Sequence, residues 1–369
     1  MNPRPERRRP PFDLVSESNW NDWQWQQAHR LRDRHALERA LRLTEDELAA
    51  IDQVNFALAT TPYYASLMDP LDPHCPIRRQ AIPTLDELHV RESELEDPLA
   101  EESHMPVPNL THRYPDRALL YASHNCPVYC RHCNRKRKVA DPTSAPSRNE
   151  LRAAIDYIRE TKSVRDVLVS GGDPLSLSDR RLDQVLADLR SIPHLEIIRL
   201  ATRNPVTLPQ RVTSELVRML RTHHPIYVST HFNHPKECTA EAAEALTRLA
   251  DGGCVLSNQM VLLRGINDDP ETVRTLNHWL LRHRCRPYYI FQADAVVGTS
   301  HFRTPVEDGI RIIEALRGWT SGLAVPHYVV DLPKGGGKVS LQPDYLESRD
   351  DKTLTFRNYR GERFDYEEG

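Results

Sequence analysis

From residue 117 onward, short runs of β-branched and aromatic residues alternate with longer segments whose apolar residues recur every three or four positions. The runs are "RALLYAS" (117–123), "DVLVS" (166–170), "EIIRLAT" (196–202), "PIYVSTHF" (225–232), "VLSNQMVLL" (255–263), "RPYYIFQ" (286–292) and "HYVVDL" (327–332). Between them, "RNELRAAIDYIRET" (148–161), "RRLDQVLADLRSI" (180–192), "TAEAAEALTRLADGG" (239–253) and "VEDGIRIIEALRG" (306–318) carry the helical period. A strand roughly every 30 residues with a helix in each gap predicts βαβ units on a parallel sheet. Six such units and a final strand suit a partial (β/α)6-type barrel better than a doubly wound sheet. The pattern divides the chain into a disordered basic arm (1–15), a helical, loop-rich region (16–110), the α/β barrel (111–340) and a short C-terminal extension (341–369). In the helical region, "NWNDWQWQQAHRLRDRHALERAL" is amphipathic, and Thr44 with Glu47 and Thr84 with Glu87 fit the capping-box spacing.

Composition narrows the setting. A chain of 369 residues with 39% hydrophobic content can bury a sizeable core, and a formal charge of -3 offers no general attraction for nucleic acid. No apolar run approaches the roughly 18 residues of a membrane span, and the basic start lacks the apolar stretch of a secretory signal. A cytoplasmic, reducing setting follows as the expectation, in which the seven cysteines do not form a disulfide framework. Cys75, Cys238, Cys254 and Cys285 stand singly and read as small apolar residues.

Cys126, Cys130 and Cys133 are clustered, in the loop after the first barrel strand, where barrels place their chemistry. A structural zinc site would need a fourth ligand such as His124 or His132. A cubane iron–sulfur cluster is the other reading, in which the three thiolates hold it and one iron stays open. "SGGDPL" (170–175) follows the second strand. It is either a tight turn or a place where glycines admit a ligand and Asp173 receives its ammonium. "GGGK", ending at Lys338, is by itself a phosphate-cradling or flexible turn, and Val339 after the lysine departs from the P-loop spacing.

Cys-x3-Cys-x2-Cys after the first strand of such a barrel resembles the radical S-adenosylmethionine (radical SAM) superfamily. "PNLTHRYPDRALL", "CRHCNRKR", "DVLVSGGDPL", "THFNHP", "VLLRGIND", "RPYYIFQ", "HFRTP" and "PKGGGK", in this order, resemble the lysine 2,3-aminomutase family over most of the chain. The resemblance implies a radical SAM barrel with three cofactors: a [4Fe-4S] cluster on Cys126, Cys130 and Cys133, S-adenosyl-L-methionine, and pyridoxal 5'-phosphate. It implies that Ser170, Gly171, Gly172 and Asp173 line the methionine site, with His231 and Gln259 nearby. Lys338 would carry the pyridoxal aldehyde, and Arg113, Tyr114 and Arg117 would hold its phosphate. Arg135 would take the substrate carboxylate, and Asp294 and Asp331 the far ammonium, where glutamate-acting relatives carry lysine and asparagine.

Plainer readings stand beside these. Arg113, Tyr114 and Arg117 are otherwise surface residues before a strand, and 136–138 are otherwise solvated bases. Asp294 and Asp331 are otherwise turn caps, and His231 and Gln259 core residues. Zinc-containing members have a cysteine where this chain has Asp269, so their C-terminal zinc site is not expected. The implied activity converts α-lysine to β-lysine, with a flavodoxin- or ferredoxin-type electron donor and a homo-oligomeric state. Arginine, ornithine or glutamate are the alternative substrates, and β-lysine supply for elongation factor P an alternative setting. A radical SAM RNA methyltransferase and a non-catalytic metal-binding module are the readings from other classes.

Overall fold

The computed structural model describes residues 11–140 and 145–368. Seven strands run parallel in sequential order: β2 (Arg117–Ser123), β3 (Asp166–Gly171), β4 (Ile197–Ala201), β5 (Ile226–Thr230), β6 (Val255–Leu262), β7 (Cys285–Gln292) and β8 (His327–Leu332). Each of the first six is followed by a helix that packs outside the sheet: Arg148–Glu160, Asp179–Arg190, Ser214–Arg221, Ala240–Asp251, Pro270–Arg282 and Val306–Leu316. The first of these shows why. Leu151, Ala154, Ile155 and Ile158 are buried at helical spacing while the other face carries charge. Ser147 and Glu150 close its N-terminus with a reciprocal capping box.

Two antiparallel strands, β1 (Leu110–Tyr114) and β9 (Gly337–Leu341), extend the edges to a nine-stranded sheet that stays open. The predicted partial barrel of six units and a final strand is therefore observed. The helices at 214–221 and 270–282 fill the two gaps for which no helical segment was named, so each gap holds its expected helix. The periodicity missed the extension's own sheet, in which β10 (Leu346–Arg349), β11 (Thr353–Arg357) and β12 (Arg363–Glu367) pair antiparallel.

The region before β1 is helical, as expected, but in short pieces. Asp22 and Asp33 cap new helices at Trp23–Ala28 and Arg34–Glu38, which breaks the tryptophan-rich stretch into separate segments. The disordered arm does not reach residue 15: Phe12 is buried against Trp20, because its ring completes the apolar cluster there. Residues 1–10 of that arm lie outside the described residues. Thr44 and Glu47 form the predicted capping box. Thr84 and Glu87 do not, because the Glu87 carboxylate turns inward to the buried guanidinium of Arg131 at 2.7 and 2.8 Å. No helix among the described residues is long and apolar enough to cross a membrane.

Candidate active site

A cavity of about 610 Å³ opens where the parallel strands end. Every site residue read from the sequence lines it, from Cys126, Cys130 and Cys133 on one wall to Asp294, Asp331 and Lys338 on the other. The loop residues converge because the C-terminal ends of parallel strands all face one side, while Arg117, the first residue of β2, reaches the cavity from the other end of the sheet.

The cysteine loop is held from below by the helical region. Arg30 Nη1 donates to the Cys126 carbonyl at 2.7 Å, and the backbone N–H groups of Tyr129 and Arg131 donate to Ala59 and Gln80 carbonyls at 3.0 and 2.9 Å. Arg131, between two of the cysteines, points away from the cavity into the fully buried pair with Glu87. Removing one partner of such a pair strands a buried charge and costs roughly 3–5 kcal/mol. The bases 136–138 are not a solvated run, since acidic groups from the helical region face them across the loop. Lys136 pairs with Glu87 at 2.9 Å, Arg137 with Asp97 and Glu101 at 3.0 Å each, and Lys138 with Glu102 at 2.8 Å.

The double-glycine turn after β3 serves this loop before any ligand. Gly171 sits at φ +115, and a Cβ there would clash with the Ser123 carbonyl oxygen; one at Gly172 would meet the Asn125 carbonyl oxygen. In their absence, Gly172 and Asp173 donate backbone N–H groups to Ser123 and Asn125 carbonyls at 2.5 and 2.8 Å. Asp173 does not offer a free carboxylate to an ammonium, because its oxygens already accept from Thr202 Oγ1 (2.7 and 2.9 Å), Arg203 N (2.7 Å) and Leu175 N (3.0 Å). Its role is to tie the end of β3 to the end of β4.

Burial pushes the Cys126 thiol well above its usual range, helped by Asp173 and the other two cysteines, and raises Cys133 to about 11. Binding a metal cluster must therefore expel protons from these sulfurs. Among the described residues, no three His, Cys, Asp or Glu side chains are placed to hold one metal ion. A zinc site completed by His124 or His132 thus has no geometric support, whereas the thiolates of a cubane bind separate iron atoms. The wall beside the cysteines also carries three buried polar atoms that meet no partner among the described residues, His132 Nδ1, Thr230 Oγ1 and His231 Nε2. Burial, with the nearby Arg203 charge, lowers His231 to about 3, so its imidazole is neutral and can accept from a ligand. Three thiols and unpartnered polar atoms on one cavity wall fit a cluster with a polar co-ligand beside it.

On the opposite wall, Lys338 and Asp331 are direct cross-strand partners of β9 and β8, and their side chains form an ion pair. Arg113 of β1 adds a second cation to Asp331 at 3.1 Å and bridges the open side of the barrel. The Lys338 ammonium lies 4.2 Å from the Phe291 ring centroid and 5.5 Å from that of Tyr289. Arg117 stacks on Tyr114 at 3.9 Å, so the trio expected at a phosphate comes together, although Arg113 is also engaged with Asp331. In the loop before the lysine, Gly335 (φ +80) lies against His104, whose imidazole a Cβ there would strike. An amine, planar rings and guanidinium groups on one wall fit pyridoxal phosphate.

The Asp294 carboxylate, after β7, accepts from Asn134 Nδ2 at 3.0 Å. Burial, with Asp331 adding to it, raises this carboxyl to about 6 despite the Asn134 bond and the Lys338 charge. Arg135 is part-buried, with its Nε and Nη2 on Glu101 at 3.0 and 2.8 Å. Burial works to raise Glu101, but the Arg135 and Arg137 charges overcome it and hold the carboxyl at about 2. Gln259 lines the cavity from β6. Sequence reading missed Glu101, Asn134, Arg199 and Arg203, all on the cavity wall. Arg203 had a signal, since it directly follows the predicted strand 196–202, whereas Arg199 lies in the middle of that strand. Glu101, in the helical region that precedes the barrel strands, had none.

Comparison with known proteins agrees with this geometry. A radical SAM superfamily profile matches residues 120–276 and a lysine-2,3-aminomutase profile matches residues 313–369. An L-lysine 2,3-aminomutase of Clostridium subterminale is 49% identical over 95% of this chain and 85% of its own length. That of Bacillus subtilis is 48% identical over 94% and 74%, and a glutamate 2,3-aminomutase of Clostridioides difficile 46% identical over 94% and 82%. With the barrel, the cysteine loop and the lysine wall in place, these relationships show that the chain belongs to the lysine 2,3-aminomutase family of the radical SAM superfamily, isomerases that use an iron–sulfur cluster, S-adenosylmethionine and pyridoxal phosphate.

Proposed function

We propose that the protein is a lysine 2,3-aminomutase, which moves the amino group of α-lysine from C2 to C3 while hydrogen moves from C3 to C2. The observation that carries the choice of substrate is the pair of interacting carboxylates, Asp294 and Asp331, at the ends of β7 and β8. An acidic substrate would bring a third carboxylate to that pair, whereas an ammonium relieves its repulsion. The relatives at 48–49% identity named as acting on lysine support the same choice.

When bound, the cofactors supply a carbon-centred radical that abstracts hydrogen and a carbonyl group through which nitrogen passes between neighbouring carbons. The chain does the rest. Cys126, Cys130 and Cys133 provide the thiolates, and Thr230 and His231 the polar wall beside them. Lys338 presents its amine over Phe291, while Arg117, Tyr114 and Arg113 supply the cationic edge for a phosphate. Arg135 can turn its remaining N–H groups to an α-carboxylate while Glu101 fixes its plane. Cavity walls made by all nine strands of the sheet and the loops between them keep water from the radical. The isomerisation is redox-neutral overall, and a low-potential flavodoxin- or ferredoxin-type donor starts it with one electron.

Anaerobic assay of the reconstituted full chain with lysine, ornithine, arginine and glutamate tests the reading. β-Lysine as the main product is expected, and glutamate as the best substrate would overturn it.

A further inference from the structure

Arg203 belongs to no motif read from the sequence, yet its guanidinium is built into the cysteine wall. Its side chain is 9% exposed, and Nη1 donates to Cys130 Sγ at 2.7 Å. The other donors are all engaged: Nη2 reaches Glu237 Oε1 at 2.8 Å, Gln80 Oε1 at 2.5 Å and Tyr64 Oη at 3.1 Å, and Nε reaches the His231 carbonyl at 3.2 Å. Glu237 cannot swing away, because it also accepts from Tyr64 Oη (2.9 Å), Gln80 Nε2 (3.3 Å) and the backbone N–H groups of Asn233 (2.6 Å) and His234 (3.0 Å). The Arg203 backbone N–H is itself fixed on Asp173 at 2.7 Å. An arginine present only to neutralise Glu237 has no need to aim its second nitrogen at a sulfur. The Cys133 sulfur, by contrast, accepts a backbone N–H, from Arg135 at 3.4 Å.

We propose that Arg203 is a positioning residue that sets the reduction potential of the cluster through its charged hydrogen bond to Cys130. The inference rests on the reading that the three cysteines hold that cluster. Reduction adds one electron from a low-potential donor, taking [4Fe-4S]2+ to [4Fe-4S]+ with no bond broken. A cation held rigidly on one ligand sulfur stabilises the more negative, reduced form and so raises the potential. Because the network is buried, water does not screen this effect.

The test is an electron paramagnetic resonance titration against potential, using anaerobically reconstituted full chain reduced with dithionite, in the wild type and in Arg203→Gln, Arg203→Lys and Arg203→Gln/Glu237→Gln. The double variant removes the Glu237 charge that the single one strands. Cluster-loaded Arg203→Gln, or the double variant, should be at least tenfold harder to reduce, a downward shift of 59 mV or more for a one-electron couple. Arg203→Lys keeps the charge but not the fork and should shift less. Cluster-loaded Arg203→Gln or double variant with the wild-type potential would overturn the proposal. So would loss of iron and sulfide from all three variants, which would make Arg203 an assembly residue only. Wild-type chain that takes up no cluster would instead sink the reading of the cysteines.

Discussion

At the cysteine wall, Asp173 accepts from a hydroxyl and two backbone N–H groups, and Glu237 from two backbone N–H groups besides Arg203. At the lysine wall, Asp331 is shared between two long cations, Lys338 and Arg113, and the Asp294 carboxylate accepts from one amide. The residue types match, but their partners do not. Backbone donors cannot leave without unfolding a turn, so the first wall is a rigid frame. Lysine and arginine side chains can let go and be replaced by a ligand's ammonium or phosphate, so the second wall is exchangeable. A frame suits a cluster that stays in place, and exchangeable pairs suit groups that arrive and leave.

The sharpest way to break this contrast is to disable each wall and read the other. Cys130→Ala should abolish cleavage of S-adenosylmethionine to 5'-deoxyadenosine, yet still yield a pyridoxyl label on Lys338 after borohydride reduction. Lys338→Ala should do the reverse, keeping the cluster and losing the label. Peptide mapping and iron analysis decide the matter, and a pyridoxyl group on another lysine would show that the lysine wall is misassigned.

A smaller effect is expected within the exchangeable wall. A charge-assisted contact contributes about 1.5–3 kcal/mol, and 1.4 kcal/mol is a factor of ten, so Asp294→Ala should lower kcat/KM for lysine roughly 10- to 100-fold. Cofactor content should not change. Asp331→Ala should differ, lowering pyridoxal occupancy as well, because Asp331 holds the Lys338 amine. Equal cofactor content in the two variants would remove the distinction between them.

The mildest effect is a pH dependence. Asp294 titrates at about 6 because burial and Asp331 disfavour its anion. Above that pH it is ionised and attracts an ammonium; below it, the proton removes the attraction. The kcat/KM for lysine should therefore fall by up to about tenfold per unit as pH drops below 6. Asp294→Asn should lack this limb, and an unchanged profile in that variant would assign the titration to another group.

The sequence by itself determined the barrel, the place of its chemistry and the family. Alternating strands and helices leave few ways to bury both faces of a sheet, and loops after parallel strands converge whatever their contents. Cys126, Cys130, Cys133, Asp294, Asp331 and Lys338 could be found because each sits at a strand end or in an ordered motif. Tertiary structure alone decided which charges are free. Asp173 and Glu87 both read as local residues, a ligand acid and a helix cap, and both were claimed by distant partners, Thr202 with Arg203 and Arg131. Arg203 and Glu237 are 34 residues apart, and Arg135 and Glu101 the same distance. The physical reason is that a buried charge must be paired, and its partner is chosen by proximity in the folded chain, which periodicity and spacing do not encode.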